Sequence, residues 1–209
     1  METYVISLPS ATDRRETLAD RLSKGGIYDF NVWDAISPST INEYDIYSLT
    51  HREWWRDPRL KNERKNLSRK CCYLSHMKLL EYLISRGVNE VLVLEDDISF
   101  DTDITEMLYN QPKDSLITFL DTTHIEGNPV EDATWIGDYL LLRDSGVRAW
   151  CSGCMYISDV KKVFFNLSCN KPKVFDKCLI EYIQKDFKTY LLYKSMCIQD
   201  RKTFASSIA

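Results

Sequence analysis

The sequence predicts an α/β fold in which a mostly parallel central sheet is flanked by helices. Short apolar runs alternate with helix-length segments, which is the pattern of strands joined by crossover helices. The predicted strand at residues 89–94 contains the continuous apolar run VLVL, which is typical of a strand buried on both faces. The chain has 209 residues, of which 44% are hydrophobic and 28% charged. These values fit a single domain spanning residues 1–209.

The N-terminal segment predicts a strand, a helix and a second strand. Residues 3–8 form a short β-prone run, and Asp13 with Glu16 has the spacing of a capping box that begins a helix. The pair Gly25 and Gly26 ends that helix, and residues 29–35 form the second strand. A strand–helix–strand unit of this length implies parallel strands.

The next segment, residues 38–70, is polar and predicted to be irregular. It ends in a basic run made of Arg59, Lys61, Arg64, Lys65, Arg69 and Lys70. This run is either a solvated surface or a mobile loop that closes over a polyphosphate or acidic substrate. Residues 71–86 then predict a helix that stops at Gly87 and packs on the sheet, before the central strand at 89–94.

The C-terminal half continues the alternation of strands and helices. Strands are predicted at residues 115–120, 138–142, 154–158 and 190–193, and helices at residues 159–167 and 175–187. The last dozen residues are predicted to be a loose tail.

Charge and composition exclude several classes of protein. The chain has 27 Lys and Arg against 31 Asp and Glu, a net charge of −4, which argues against general nucleic-acid binding. It has no apolar run of about 18 residues and no signal-peptide pattern, so we expect a cytoplasmic protein without membrane insertion. The seven cysteines are odd in number and argue against a disulfide framework. Cys151 and Cys154 have the spacing of a redox pair or half a zinc site, but no two further ligands follow at matching spacing.

An acidic triplet, Glu95, Asp96 and Asp97, directly follows the predicted central strand. Ligands of open α/β sheets bind outside the carboxyl ends of the strands. In an extended chain Glu95 and Asp97 point to one side and Asp96 to the other. A divalent cation relieves the repulsion between neighbouring carboxylates, and oxygen ligands favour Mg²⁺ or Mn²⁺ over zinc. The triplet predicts either such a metal site, with open positions for substrate phosphates, or an acidic strand end without a ligand.

The sequence around this triplet resembles glycosyltransferase family 25, the lipopolysaccharide and collagen galactosyltransferase type. The likeness rests on the helix start Cys72-x-Leu-Ser-His76 followed by an apolar strand that ends in Glu-Asp-Asp, and on an opening strand with an Asp-Arg pair before the first helix. The later segments SGCMYISDVKKVF, VFDKCL and SMCIQD follow in the family's order. The resemblance implies a Rossmann-like glycosyltransferase-A type domain, with a nucleotide-sugar-binding half at 1–100 and an acceptor-binding half at 101–209.

The resemblance also implies an activity and a set of site residues. The activity is inverting transfer of a hexose, galactose or glucose, from a UDP-sugar to a hydroxyl of a glycan acceptor, with Mn²⁺ or Mg²⁺ as cofactor. Asp97 would ligate the metal and Glu95 would assist. The expected contacts to the donor are Leu8, Pro9, Arg14, Arg15, Asp34, His76 and Asp96. For Arg14, Arg15 and Asp34 the alternative is an ordinary surface charge, and for His76 it is a hydrogen-bonded structural histidine.

Inversion requires a general base at the acceptor hydroxyl. Asp176, at the entry of a late helix, is the first candidate, with an N-cap aspartate as its structural alternative. Asp121, just past a strand, is the second, and Trp135 and Trp150 would face the acceptor.

The chain departs from the family at two places. Ser68-Arg69 replaces a Gly-Glu pair, and residues 121–127 match a glycine-rich tract poorly, so the resemblance does not identify the acceptor. Two other functions fit the residues: a metal-dependent phosphohydrolase, and a non-catalytic sugar-binding domain on a transferase frame.

Overall fold

A computed structural model describes residues 1–42, 44–45, 63–150, 152–194 and 196–200, without the side chains of residues 63–65. Twelve strands are present in these ranges. They are β1 (Glu2–Ser7), β2 (Asn31–Asp34), β3 (Val91–Glu95), β4 (Ile98–Phe100), β5 (Ile117–Phe119), β6 (Ile125–Glu126), β7 (Trp135–Ile136), β8 (Tyr139–Leu141), β9 (Arg148–Ala149), β10 (Cys154–Ile157), β11 (Thr189–Leu192) and β12 (Cys197–Gln199). The helices are α1 (Thr12–Glu16), α2 (Leu18–Lys24), α3 (Glu63–Ser85), α4 (Thr105–Asn110), α5 (Val160–Cys169) and α6 (Phe175–Cys178), which continues as a π-helix at Leu179–Gln184.

Eight strands form the central sheet, in the order β2-β1-β3-β10-β5-β11-β8-β7. Strand β1 is parallel to both β2 and β3, and β5 is parallel to β11. Strand β10 is antiparallel to β3 and β5, and β8 is antiparallel to β11 and β7. Six of the eight strands therefore run in one direction. The predicted α/β fold with a mostly parallel sheet is confirmed, although the sequence pattern gave no sign of the two reversed strands.

The predicted central strand lies at the centre of the sheet. In β3 the residues from Val91 to Leu94 are at most 1% exposed, because both faces of the sheet are covered. One face packs against α3, α5 and the π-helix through side chains such as Leu83, Val163 and Ile183. The other face packs against α2 and β4 through Leu22. Burial on both faces explains why the run is apolar at every position rather than at alternate ones.

Several predicted boundaries differ from the structure. The first predicted helix is two short helices, and no side chain caps α1, so the capping box at Asp13 was wrong. The predicted stops are confirmed, since Gly26 and Gly87 adopt positive φ angles of 75° and 72°. Helix α3 begins at Glu63, so the prediction of irregular structure up to residue 70 was wrong for residues 63–70. Within the basic run, Arg59 and Lys61, and the side chains of Arg64 and Lys65, lie outside the described residues.

The C-terminal region also differs in part from the prediction. The late helix is α-helical only at Phe175–Cys178 and then widens into the π-helix. Strand β12 pairs with β4, so the loose tail was wrong for Ile198 and Gln199, while residues 201–209 lie outside the described residues. Cys151 also lies outside them, and the six described cysteines are free thiols. No helix in the described ranges is both long and apolar enough to cross a bilayer.

Candidate active site

A cavity of about 80 Å³ opens at the carboxyl ends of β1, β2 and β3, against the first half of α3. The sequence-predicted residues on its wall are Leu8, Arg14, His76, Glu95, Asp96 and Asp97. Pro9, Arg15, Asp34, Asp121 and Asp176 are not among the residues that line it. A volume of this size holds a hydrated ion, because a buried water needs only about 10–15 Å³. A nucleotide sugar would have to lie across the cavity mouth.

The Asp96 carboxylate is buried and hydrogen-bonded to two side chains. One oxygen of its carboxylate accepts a hydrogen bond from the Arg14 guanidinium at 2.5 Å, and the other accepts one from the Ser7 hydroxyl at 2.7 Å. The side chains of Arg14 and Asp96 are 11% and 8% exposed. A buried charge pair of this kind ties the acidic loop to the end of β1 and to α1. Arg14 and Asp96 were predicted as donor contacts, and their main described contacts are with each other.

A second buried arginine, Arg21, was missed by the sequence analysis. Its guanidinium donates to the main-chain carbonyls of Asp96 and Ile98 at 2.8 and 2.6 Å, and to that of Arg14 at 3.0 Å. It therefore fixes the backbone on both sides of Asp97. A signal was present in the sequence, because Arg21 occupies the same helix face as the apolar Leu18, three residues earlier.

Arg15 and Asp34 lie together at the rim of the site. The Arg15 guanidinium donates to the Asp34 carboxylate at 2.6 Å and to the Ser7 carbonyl at 2.7 Å. The Asp34 side chain is 70% exposed. The pair links the ends of β1 and β2, and it leaves part of the Asp34 carboxylate open to solvent.

Glu95 lies at the convergence of several segments that are remote in sequence. Its carboxylate accepts hydrogen bonds from the Ser152 hydroxyl at 2.8 Å and from the Gln199 amide at 3.2 Å. Burial, the nearby charge of Asp97 and that of Asp176 raise the pKa of Glu95 to about 8. Without a cation, Glu95 is therefore largely protonated at neutral pH.

On its other side Glu95 faces His76 of α3. The Nε2 atom of His76 lies 3.7 Å from Glu95 Oε1. Among the described residues neither ring nitrogen of His76 has a hydrogen-bond partner, and the side chain is 2% exposed. Burial lowers its pKa to about 3, so the ring is neutral. The Phe175 ring packs on it at a centroid distance of 3.9 Å. The described residues therefore do not make His76 the hydrogen-bonded structural histidine that was its alternative role.

The motif around His76 also shapes the cavity wall. The Ser75 hydroxyl donates to the Cys71 carbonyl at 2.7 Å and accepts from the main-chain amide of Ile36 at 2.8 Å. The indole of Trp33 donates to the Ser75 carbonyl at 3.2 Å. These contacts hold the chain that leaves β2 against α3, which places Ile36 on the cavity wall.

Asp97 is 7% exposed and lies on the cavity wall. Its main-chain carbonyl accepts from the amide of Asp200 at 2.7 Å, so the segment after β12 fixes its backbone. Strand β12 itself supplies Gln199 to Glu95. The sequence analysis missed Gln199 because it treated this part of the chain as a tail.

The two candidate bases have different surroundings. Asp121 is fully buried, and its carboxylate accepts from both the amide and the hydroxyl of Thr123. It also crowds Gly153, where an added Cβ atom would lie 2.9 Å from Asp121 Oδ2. Asp176 is half-buried in the first turn of α6, near enough to Glu95 to raise its pKa. The N-cap position belongs to Val174, so Asp176 is not the cap.

The raised pKa of Glu95 leads to a stability prediction. The pKa of Glu95 in the folded protein, about 8, exceeds its ordinary value of 4.5. The folding stability linked to protonation of Glu95 is therefore fully present below pH 4.5 and is lost as the pH rises through 8. In the presence of a chelator, Glu95→Gln should therefore stabilise the protein relative to wild type by about 2–4 kcal/mol more at pH 8 than at pH 5. Urea unfolding at the two pH values measures this difference. Glu131→Gln, at an exposed position, should show no such pH dependence; a Glu95→Gln effect equal at both pH values would contradict the prediction.

The fold and this site define an α/β domain with a carboxylate-rich cavity at the carboxyl ends of parallel strands. The sequence profile of Glycosyltransferase family 25 (LPS biosynthesis protein) matches residues 1–135, which is more than half of the chain. The chain therefore belongs to glycosyltransferase family 25.

Individual relatives share parts of the chain. It is 35% identical over 100 residues to "Lacto-N-neotetraose biosynthesis glycosyltransferase LgtE" of Neisseria gonorrhoeae, covering 47% of this chain and 32% of that protein. It is 32% identical over 103 residues to "Inactive glycosyltransferase 25 family member 3" of Homo sapiens, covering 48% and 17%. The chain spans about a third of the length of the first of these relatives.

A solved structure of the galactosyltransferase LgtC with donor and acceptor sugar analogues aligns with a TM-score of 0.47. The identity is 15%, and the alignment covers 87% of this chain and 65% of that one.

Proposed function

We propose that this chain is a metal-dependent glycosyltransferase domain, which moves a hexose from a UDP-sugar to a hydroxyl of a glycan acceptor with inversion. Galactose or glucose is the proposed hexose, and a lipopolysaccharide-type glycan is the proposed acceptor. The observation that carries the proposal is the pair of carboxylates, Glu95 and Asp97, on the wall of a cavity at the sheet's carboxyl edge in a family 25 chain.

The carboxylate pair fits Mn²⁺ or Mg²⁺. Burial of Glu95 and the charge of the buried Asp97 raise the pKa of Glu95, so it is costly for both groups to be charged without a cation. Oxygen ligands at a hard cation remove this cost and leave coordination positions for phosphate oxygens. When bound, the cation would act as a Lewis acid that stabilises the departing nucleoside diphosphate.

The chain's own residues then have distinct proposed roles. Arg14, Ser7 and Arg21 hold the acidic loop in position through Asp96 and its neighbouring carbonyls. Leu8 lines the cavity and offers an apolar contact to the nucleotide base. Asp34 is exposed at the rim and offers an acceptor to a ribose hydroxyl. Residues 1–100 would thus bind the donor, and residues 101–209 would supply the acceptor side.

Asp176 is the proposed general base. It is half-buried and close enough to Glu95 to affect its pKa, so an acceptor hydroxyl beside the metal site would lie within its reach. Asp121 is the weaker candidate, because its carboxylate is fully buried and engaged by Thr123. An acceptor hydroxyl cannot reach it without a rearrangement of the surrounding backbone.

A thermal-shift panel of nucleotide sugars, with and without Mn²⁺, tests the proposal. A ligand that binds only the folded state raises the melting temperature. At a concentration of 100 times its Kd, such a ligand stabilises the folded state by about 2.7 kcal/mol. We expect UDP-hexoses to raise it only when Mn²⁺ is present, and product analysis with a glycan acceptor should show transfer. Cleavage of nucleotides without an acceptor would indicate a phosphohydrolase. Binding of free sugars without nucleotide or metal would indicate a non-catalytic sugar-binding domain. Either result would overturn the proposal.

A further inference from the structure

Three side chains with nitrogen, sulfur and oxygen donors meet on the wall of the cavity. Cys72 and His76 lie four residues apart on α3, so they share one face of the helix. Glu95 comes from the end of β3. A ligand atom from each of the three lies within 4.8 Å of the other two.

His76 provides an independent indication that this cluster is a binding site. Its side chain is 2% exposed, and neither ring nitrogen finds a hydrogen-bond partner among the residues that the structure describes. Buried imidazole nitrogens are normally paired, since an unpaired buried polar atom costs about 1–3 kcal/mol. The nitrogen Nε2 faces Glu95 Oε1 at 3.7 Å, too far for a hydrogen bond.

That separation suits two ligands of one metal ion. Zinc bonds of about 2.0–2.3 Å in a tetrahedral arrangement place ligand atoms about 3.3–3.8 Å apart. For a nitrogen and an oxygen ligand the expected separation is about 3.3–3.5 Å, so the His76–Glu95 distance of 3.7 Å is within a few tenths of an ångström of it. The cluster spans at most 4.8 Å, so a movement of about 1 Å by the Cys72 side chain would complete a three-ligand set.

We propose that Cys72, His76 and Glu95 bind a thiophilic divalent cation, for which Zn²⁺ is the best match. Thiolate and imidazole ligands select zinc over Mg²⁺ and Mn²⁺, which prefer oxygen. The Cys72 thiol binds as the thiolate, and its proton passes to the buffer. Three protein ligands leave a fourth position open, as in zinc sites that accept water or substrate.

This site shares Glu95 with the proposed donor-metal site. A carboxylate turned toward Cys72 and His76 is no longer available beside Asp97, so the two cations compete for it. The zinc site itself does not depend on the transferase proposal, because its ligands and geometry would be the same in a domain without activity.

Cobalt, used as a spectroscopic substitute for zinc, tests the site without any nucleotide. Titration of the purified protein with Co²⁺ under a non-thiol reductant should produce the near-ultraviolet charge-transfer band of a cobalt–thiolate bond. One equivalent of Zn²⁺ should abolish the band, because zinc binds such ligands more tightly than cobalt. Cys72→Ser should eliminate the band, and Cys169→Ser, which removes an exposed thiol, should leave it intact.

Glu95→Gln provides a second variant, should Cys72→Ser fail to fold. It should keep the thiolate band but weaken Co²⁺ affinity by at least about 10-fold. No band in the wild-type protein, or a band that persists in Cys72→Ser, would overturn the proposal. If the wild-type protein shows the cobalt band but UDP-hexoses do not raise its melting temperature, the transferase proposal is rejected and the zinc-site proposal is retained.

Discussion

Asp97→Asn should lower glycosyl transfer by at least about 100-fold, the usual effect of removing one group that stabilises transition-state charge. The Mn²⁺-dependent rise in melting temperature with UDP-hexose should disappear as well. Asparagine keeps the size of the side chain and leaves the main-chain bond to Asp200 intact, so the fold should persist. Only the negative charge that attracts the cation is removed.

Two further variants make this result specific. Asp132→Asn removes the same charge at an exposed position and should retain both binding and transfer. Asp176→Asn should retain Mn²⁺-dependent donor binding and lose turnover, as expected for a base that acts only in the chemical step. Unchanged calorimetric binding of UDP-sugar and Mn²⁺ by Asp97→Asn would show that the cation binds elsewhere. Near-normal turnover by Asp176→Asn would assign the base to another residue.

Arg14→Met should destabilise the protein by about 3–5 kcal/mol, because it leaves the Asp96 carboxylate buried without its cationic partner. Asp96→Asn should also be destabilising, since it removes the charged acceptor that lies 2.5 Å from the Arg14 guanidinium. The double variant should be less unstable than the sum of the two, with a coupling energy of about 1–3 kcal/mol. Urea unfolding would measure these differences in the free energy of unfolding, with the same m-value expected for all variants.

The ion pair between Lys188 and Asp114 is a matched control. Its N–O distance is 2.6 Å against 2.5 Å for Arg14 and Asp96, but its side chains are 58% and 49% exposed. Lys188→Met should destabilise the protein far less than Arg14→Met, because solvent screens an exposed pair. If Arg14→Met is as stable as wild type and instead loses UDP-sugar affinity, Arg14 is a donor contact, as the resemblance implied.

The described hydrogen bonds of these carboxylates divide them into two groups. Asp96 is engaged by Arg14 and Ser7, and Asp121 by Thr123, so both contribute to structure. Glu95 has a raised pKa, and Asp97 lies beside it on the cavity wall. The expected alternation of side chains past the strand end does not explain this division, because Asp96 and Asp97 form a turn and all three acidic residues line the cavity. The division follows from the partners that each carboxylate finds.

Local sequence identified the main strands of the sheet and the edge at which the cavity lies. The continuous apolar run of β3 identified the central strand, since only a strand covered on both faces excludes polar residues at every position. Gly26 and Gly87 marked helix ends, because a left-handed residue there favours glycine. The acidic triplet located the cavity, because the carboxyl ends of parallel strands meet at one edge of a sheet.

Only the tertiary structure decided the direction of β8 and β10, the pairing of Arg14 with Asp96, and the convergence of Cys72, His76 and Glu95. Arg14 and Asp96 are 82 residues apart, and Gln199 reaches Glu95 across 104. Periodicity and turn chemistry act over a few residues, whereas the choice among distant partners depends on sheet order and on how much water the packing excludes. The sequence therefore indicated which chemistry each side chain can perform, whereas burial and neighbouring residues determined its role in the site.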